Sequence, residues 1–155
     1  MSASSEFFKA KIRTAALNSV RDGIDASAKM LQTKIKQTLN QGKSNVVTRT
    51  RVRNTSRGAA GSTYRQWVSG APAGAPPYKD TGNLGRSITV DTSKLDSAKP
   101  SAQVGTNVVY APALEFGSRR NAPHPFMRPT LADNQKAIKD KFQKVMAGQF
   151  RRYMR

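Results

Sequence analysis

YAPALEFGSRRNAPHPFMRPTL, residues 110–131, decides how this chain closes on itself. Four of the chain's eight prolines fall in it, with Glu115 between Leu114 and Phe116, three arginines and the sole histidine, His124. Proline has no N–H to donate and clashes with the preceding turn, so neither a helix nor a central strand runs through such a stretch. The segment therefore reads as a loop with a short helical turn around residues 113–116. It separates strand-like sequence upstream from helix-like sequence downstream.

Downstream, residues 129–153 read as a helix. Pro129 suits its first turn, and Leu131, Ile138, Phe142, Val145, Met146, Phe150 and Tyr153 form an apolar face. Asp133 lies early and Arg151, Arg152 and Arg155 lie late, as the helix dipole favours. Upstream, LGRSITVDT (84–92) and AQVGTNVVY (102–110) read as two strands joined by a turn-rich connector, expected to pair antiparallel. At the other end, residues 4–40 read as a long helix with an apolar stripe at Phe8, Ile12, Ala16, Val20, Ile24, Ala28, Leu31, Ile35 and Leu39. A strict spacing of four drifts around a helix of 3.6 residues per turn, so either the stripe winds around the helix or the helix bends, with Gly23 as the place for a bend or break. Gln41-Gly42 supplies the stop.

Residues 41–79 differ in kind. No acidic residue occurs between Asp25 and Asp80, while Lys43, Arg49, Arg51, Arg53, Arg57, Arg65 and Lys79 fall inside. VVTRTRVRNT alternates like a strand with Arg49, Arg51 and Arg53 on one face, and SGAPAGAPPYKDTG reads as a loop. The expected fold is α+β: a small antiparallel β-sheet packed against a long N-terminal helix and a C-terminal helix, with a long basic loop or hairpin insertion. One domain spans residues 1–155, with 41–79 as an extended arm.

The chain has 27 Lys+Arg against 9 Asp+Glu, a net charge of +18. Such a balance seeks polyanions: nucleic acid, an anionic membrane surface or an acidic protein face. There is no cysteine, which excludes disulfides, thiolate nucleophiles and thiolate metal sites. The N-terminus carries no apolar run of signal or spanning length, so a cytoplasmic protein without a membrane partner is the expectation.

Gly42-Lys43-Ser44 contains the end of a phosphate-loop motif, but the first glycine of that motif would fall at Gln37, inside a helix and with no strand before it. A helix C-cap is the better reading. His124 lies between Pro123 and Pro125; a catalytic base would need a nucleophile and an orienting acid, and no nucleophile elbow is present. Glu115 is open to two readings, a catalytic acid or an ion-pair partner of Arg119, Arg120 or Arg128, and the second is preferred because no partner carboxylate is apparent. Arg49, Arg51 and Arg53 recur at about 6.8 Å along a strand, close to the spacing of phosphates, so a contact with backbone and without base readout is expected. With Lys43, Arg57 and Arg65 they are the candidate DNA-proximal or partner-contact residues. Tyr64 and Trp67 alone offer stacking platforms there, which argues against a dedicated single-strand binder.

Three blocks together, PPYKDTGNLGRSI (76–88), VGTNVVYAPALEFGS (104–118) and APHPFMRPTL (122–131), resemble the head–tail joining proteins of long-tailed bacteriophages, the neck or tail-completion family. The resemblance implies a non-enzymatic virion protein without cofactors, found in the neck and, during assembly, in the host cytoplasm. It implies a homo-oligomeric ring, six or twelve subunits, around the DNA channel. The implied neighbours are the head connector or portal-side protein, the tail terminator or tail tube protein, and packaged double-stranded DNA bound without sequence preference. The runner-up is a basic, sequence-nonspecific nucleic-acid-binding protein. The motif positions are Pro77, Thr81, Gly82, Leu84, Gly105, Tyr110, Glu115, Phe116, Gly117, Pro125, Phe126, Arg128 and Pro129, with packing roles. Thr81-Gly82 would launch the first strand, Gly105 and Gly117 would permit tight backbone, Phe116 and Phe126 would anchor the loop, and Glu115 would pair with Arg128.

Overall fold

The computed structural model describes residues 3–42, 46–55, 58–67, 71, 73–78, 82–119 and 121–155, with backbone alone for 3, 4, 46–55 and 58–67. In chain order the elements are α1 (Ala3–Gln41), β1 (Val46–Thr55), β2 (Gly58–Trp67), α2 (Asn83–Ser87), β3 (Thr89–Asp91), β4 (Gln103–Gly105), α3 (Ala111–Phe116) and α4 (Met127–Tyr153). Long N- and C-terminal helices pack on each other, and the small antiparallel β3–β4 sheet packs against α1. The class is α+β, as expected.

α1 runs through Gly23 without a break. That glycine is a contact instead. A Cβ added there would lie 2.8 Å from Cδ2 of Phe142 on α4, so only hydrogen leaves room for the ring. The buried line in this half of α1 is Ala15, Ser19, Gly23 and Ser27, one residue off the expected stripe. Small side chains let α4 come close, so the larger Phe8 and Ile12 stay 56% and 37% exposed. The two serine hydroxyls bond back to the carbonyls of Ala15 (2.6 Å) and Gly23 (2.7 Å), so neither is buried without a partner. Farther along, Ala28, Ile35 and Leu39 are buried where the stripe predicts them.

The core therefore lies toward the C-terminal end of α1. Ile35, Leu39, Ile88, Ala111 and Phe126 form it, with Leu31, Leu84, Val104, Val108, Leu114 and Met127 packed around. Gln32 donates to the Ile88 carbonyl at 2.7 Å, and the hydroxyls of Thr38 and Thr130 lie 2.9 Å apart across α1 and α4.

The two strands of this layer are shorter than predicted. β3 and β4 pair over three residues, Thr89 with Gly105, Val90 with Val104 and Asp91 with Gln103. Residues 83–87 are helical. Gly82, at φ +73°, starts that helix rather than a strand, a conformation glycine adopts without a Cβ penalty. Beyond Gly105 the ladder ends because the chain turns: Thr106 Oγ1 accepts from the Val108 N–H at 3.2 Å, and the Ala111 N–H bonds the Val108 carbonyl at 3.0 Å. Ser87 and Thr106 close that end through a 2.6 Å hydroxyl contact.

β1 and β2 form a second antiparallel pair in register from Val46–Trp67 to Thr55–Gly58. The backbone of the insertion is thus a hairpin, one of the two forms expected of it, though 58–67 does not read as a strand: GAAGSTYRQW is poor in the branched and aromatic residues that mark one, and its signal lies in its partner.

Candidate functional site

The clasp between the last strand and the last helix is the most highly organised polar site among the described residues. Its local fold follows from its sequence. Pro112 sits at the start of α3, where a missing N–H costs nothing. Gly117 ends that helix at φ +82°, and a Cβ there would come within 3.2 Å of Pro123, so glycine is required twice over. After it the Ser118 N–H donates to the Asn121 carbonyl at 2.9 Å. The returning chain is strapped to α3 by the His124 N–H to the Leu114 carbonyl, 2.7 Å. A second strap joins the clasp to residues 73–78. The Gly74 N–H donates to the Pro123 carbonyl at 3.0 Å, and His124 Nδ1 lies 3.2 Å from the Ala75 carbonyl. His124 is thus a hydrogen-bonded loop residue. Pro77, buried, continues this strand of chain onto Gly42, where an added Cβ would overlap the Pro77 carbonyl. α1 stops at Gln41, as expected, and Gly42 does not have positive φ, so close approach to Pro77 accounts for the glycine.

Glu115 is the centre of the clasp and is 4% exposed. Its Oε2 accepts the N–H groups of Phe126 (2.8 Å) and Met127 (2.9 Å), and its Oε1 accepts the N–H of Arg128 (2.9 Å). Those are N–H groups of the first turn of α4, which have no partner inside the helix, and a negative charge there is further favoured by the helix dipole. Phe126, at the N-cap position, supplies no side-chain cap; Glu115 does so from a distant part of the chain. Arg128 Nε adds a 3.2 Å ion pair to Oε1, and its Nη2 bonds the Glu115 carbonyl at 3.3 Å. Burial pushes the carboxyl up, but the three backbone donors and Arg128 outweigh it and hold it below its ordinary 4.5. A carboxylate so held is a poor proton donor or acceptor near neutral pH.

The predicted pairing of Glu115 with Arg128 is therefore present, and the three backbone bonds are what sequence reasoning missed. The available signal was a carboxylate eleven residues before a helix start that lacks Ser, Thr, Asp or Asn at its cap. Phe126, fully buried, anchors the clasp as expected. Phe116 does not: it is 65% exposed, with the Arg128 guanidinium 4.6 Å from its ring centroid. Gly105 has open space around an added Cβ and no positive φ, so it permits nothing a larger residue would forbid. Leu84 is partly buried against the core, Tyr110 is 47% exposed at the start of α3, Pro125 is half-buried and Pro129 is exposed in the first turn of α4.

Of the basic candidates, Arg49, Arg51 and Arg53 occupy alternate positions of β1, opposite Tyr64, Ser62 and Ala60. Arg65 lies in β2 opposite Thr48, out of step with those three. Lys43, Arg57 and Thr81 lie outside the described residues.

No group of three His, Cys, Asp or Glu among the described residues could hold a metal, and no described helix is long and apolar enough to cross a membrane. An open apolar groove of about 460 Å³ lies between α1, α4 and β4, lined by Ala28, Leu31, Val104, Leu131, Ile138 and Phe142 among others.

No family model, curated protein or solved structure matches this chain.

Proposed function

We propose that this protein is a structural component of the neck of a long-tailed bacteriophage, a head–tail joining protein that forms a closed ring around the DNA channel. The observation that carries the reading is the three-block pattern of residues 76–88, 104–118 and 122–131. Three physical features support it. The second and third blocks meet in one rigid clasp through Glu115 and the start of α4, so the pattern corresponds to a fixed subunit shape. Large apolar side chains also remain uncovered in the single chain, Val109 at 94%, Phe7 at 74% and Phe116 at 65% exposure, as subunit contacts require. In the two-stranded β3–β4 sheet each strand has only one partner among the described residues, and open edges favour a heterologous, ring-closing contact.

On this reading the ring has six or twelve copies, meets a portal-side connector and a tail terminator or tail tube protein, and holds DNA through diffuse positive charge without reading its sequence. It performs no catalysis. The genetic test is removal of the gene from its phage: filled heads and finished tails should accumulate unjoined, and normal infectious particles would sink the reading. Replacing Arg49, Arg51 and Arg53 by Ser should spare folding and impair DNA retention or docking of a neighbour.

The net charge of +18 favours a second reading, a monomeric or dimeric nonspecific nucleic-acid-binding protein. Light scattering coupled to size exclusion distinguishes the two where the ring forms in isolation.

A further inference from the structure

The C-terminal half of α4 carries a concentrated charge pattern that the arm drew attention away from. From Lys141 to Arg155 there is no acidic residue and there are five basic ones, Lys141, Lys144, Arg151, Arg152 and Arg155. All five are exposed. Four of them, Lys141, Lys144, Arg151 and Arg152, lie on α4, where at 3.6 residues per turn they fall within an arc of about 100° and at 1.5 Å per residue span about 17 Å; Arg155 follows just past the helix end. The ion pairs among the described residues are Lys9–Glu6, Arg21–Asp96, Lys29–Asp25 and Arg128–Glu115, and none draws on this row. Asp22, the carboxylate that reaches this end of α4, accepts the Tyr153 hydroxyl at 2.9 Å. Asp133 and Asp140 lie on α4 itself, before the row begins. Gly148 falls in the middle of the arc with open space around an added Cβ, so no side chain holds a flat surface away from the helix there. Lys11 of α1 lines a groove with Tyr153 and adds charge at the same end.

We propose that this row is a binding face for the phosphate backbone of double-stranded nucleic acid, separate from the β1–β2 arm. Laid along one strand, whose neighbouring phosphates are about 6–7 Å apart, a row of about 17 Å with Arg155 just beyond it spans about three to four phosphates. A linear polyanion fits such a row. Arginine and lysine together bind phosphate without base readout. No aromatic side chain lies within the arc to stack an unpaired base, so duplex fits better than single strand. The inference deepens the DNA-channel part of the proposed function, and it is testable apart from it: a neck ring that never uses α4 would fail here and pass the genetic test.

The test compares two full-length variants by equilibrium binding to a random-sequence duplex across a salt series. One replaces Lys141, Lys144, Arg151, Arg152 and Arg155 by Gln. The control replaces five exposed or half-exposed cations elsewhere, Lys34, Lys36, Lys94, Lys99 and Arg119, by Gln, so both have the same net charge. Each phosphate contact adds about 0.9 to the slope of log affinity against log salt. The α4 variant should lose about 3 to 4 from that slope and at least about a hundredfold in affinity near 0.1 M salt, while the control loses less than half as much. Equal losses would mean diffuse charge alone and overturn the proposal. So would an α4 variant that keeps duplex affinity but no longer binds vesicles rich in anionic phospholipid, which would make the row a lipid face. Should the α4 variant not fold, amine modification of the unaltered protein decides: bound duplex should protect Lys141 and Lys144 and leave Lys94 and Lys99 reactive, and uniform protection overturns the proposal.

Discussion

Glu115→Gln should unfold this protein far more readily than any change to its ion-pair partner. The carboxylate receives four bonds: Phe126 and Met127 N–H on one oxygen, Arg128 N–H and Nε on the other. Glutamine keeps the shape and one acceptor. Its amide nitrogen must then face two donors, leaving at least the Arg128 N–H buried without a partner, which costs about 1–3 kcal/mol. The two surviving bonds lose the charge that made each roughly twice as strong as a neutral one, about 1 kcal/mol apiece. Relief from burying a charge offsets part of this, so the net loss is about 3 kcal/mol. At 2–4 °C per kcal/mol for a chain of this size, the melting temperature should fall by about 6–12 °C. Arg128→Ala should cost only about 1 kcal/mol, because its side chain is 64% exposed and solvent screens the pair. Circular-dichroism melts of the two variants decide the matter. A shift under about 2 °C for Glu115→Gln, or a larger loss for Arg128→Ala, would show that the backbone cap is not what holds α4 in place.

The same carboxylate gives the protein an acid-sensitive limb. Its folded pKa lies below the ordinary value, so the unfolded chain binds the proton first and stability falls as pH drops below about 4.5, through the depressed folded value; Glu115→Gln should flatten that limb in melts taken from pH 6 to pH 2. The glycines inside the two long helices should respond with opposite signs. Gly23→Ala places a methyl against Phe142 Cδ2 at 2.8 Å and Phe142 O at 3.3 Å, and denaturant titration should show a net loss of about 1–3 kcal/mol despite better helix propensity. Gly148→Ala meets nothing within 4 Å and should add up to about 1 kcal/mol; a loss there would contradict the open surroundings of that position. Gly117→Ala forces a Cβ onto a residue at φ +82° and into Pro123, and should lower stability by about 1–2 kcal/mol in the same titration.

Much of the fold was legible because periodicity reports burial. Ala28, Ile35 and Leu39 on α1 and the ring of Phe142 on α4 were placed by a spacing argument that burial satisfies. The failures share a cause: they concern residues whose role is set by a partner outside their own helix, strand or turn. Gly23 read as a weak point because local propensity penalises glycine, but its reason is an aromatic ring from the other helix. β2 carries little strand propensity of its own and takes its form from the register with β1. Glu115 was readable as an ion-pair partner, since Arg128 is near in sequence. Its three backbone partners were not, because main-chain donors leave no mark in a sequence unless a helix start is seen to lack its own cap. Phe116 was misplaced for a simpler reason: aromatic residues read as core, and here the ring lies outside under a guanidinium.

The seat of Phe142 over Gly23 has a mechanical consequence. Sliding α4 by one helical turn, 5.4 Å, would carry the ring onto Ser19 or Ser27, positions whose hydroxymethyl groups are already buried and bonded to the helix. Neither offers the notch that the glycine does. The notch at Gly23 therefore favours the register seen over a slip of one turn, and ties the axial position of α4 to a single small residue of α1.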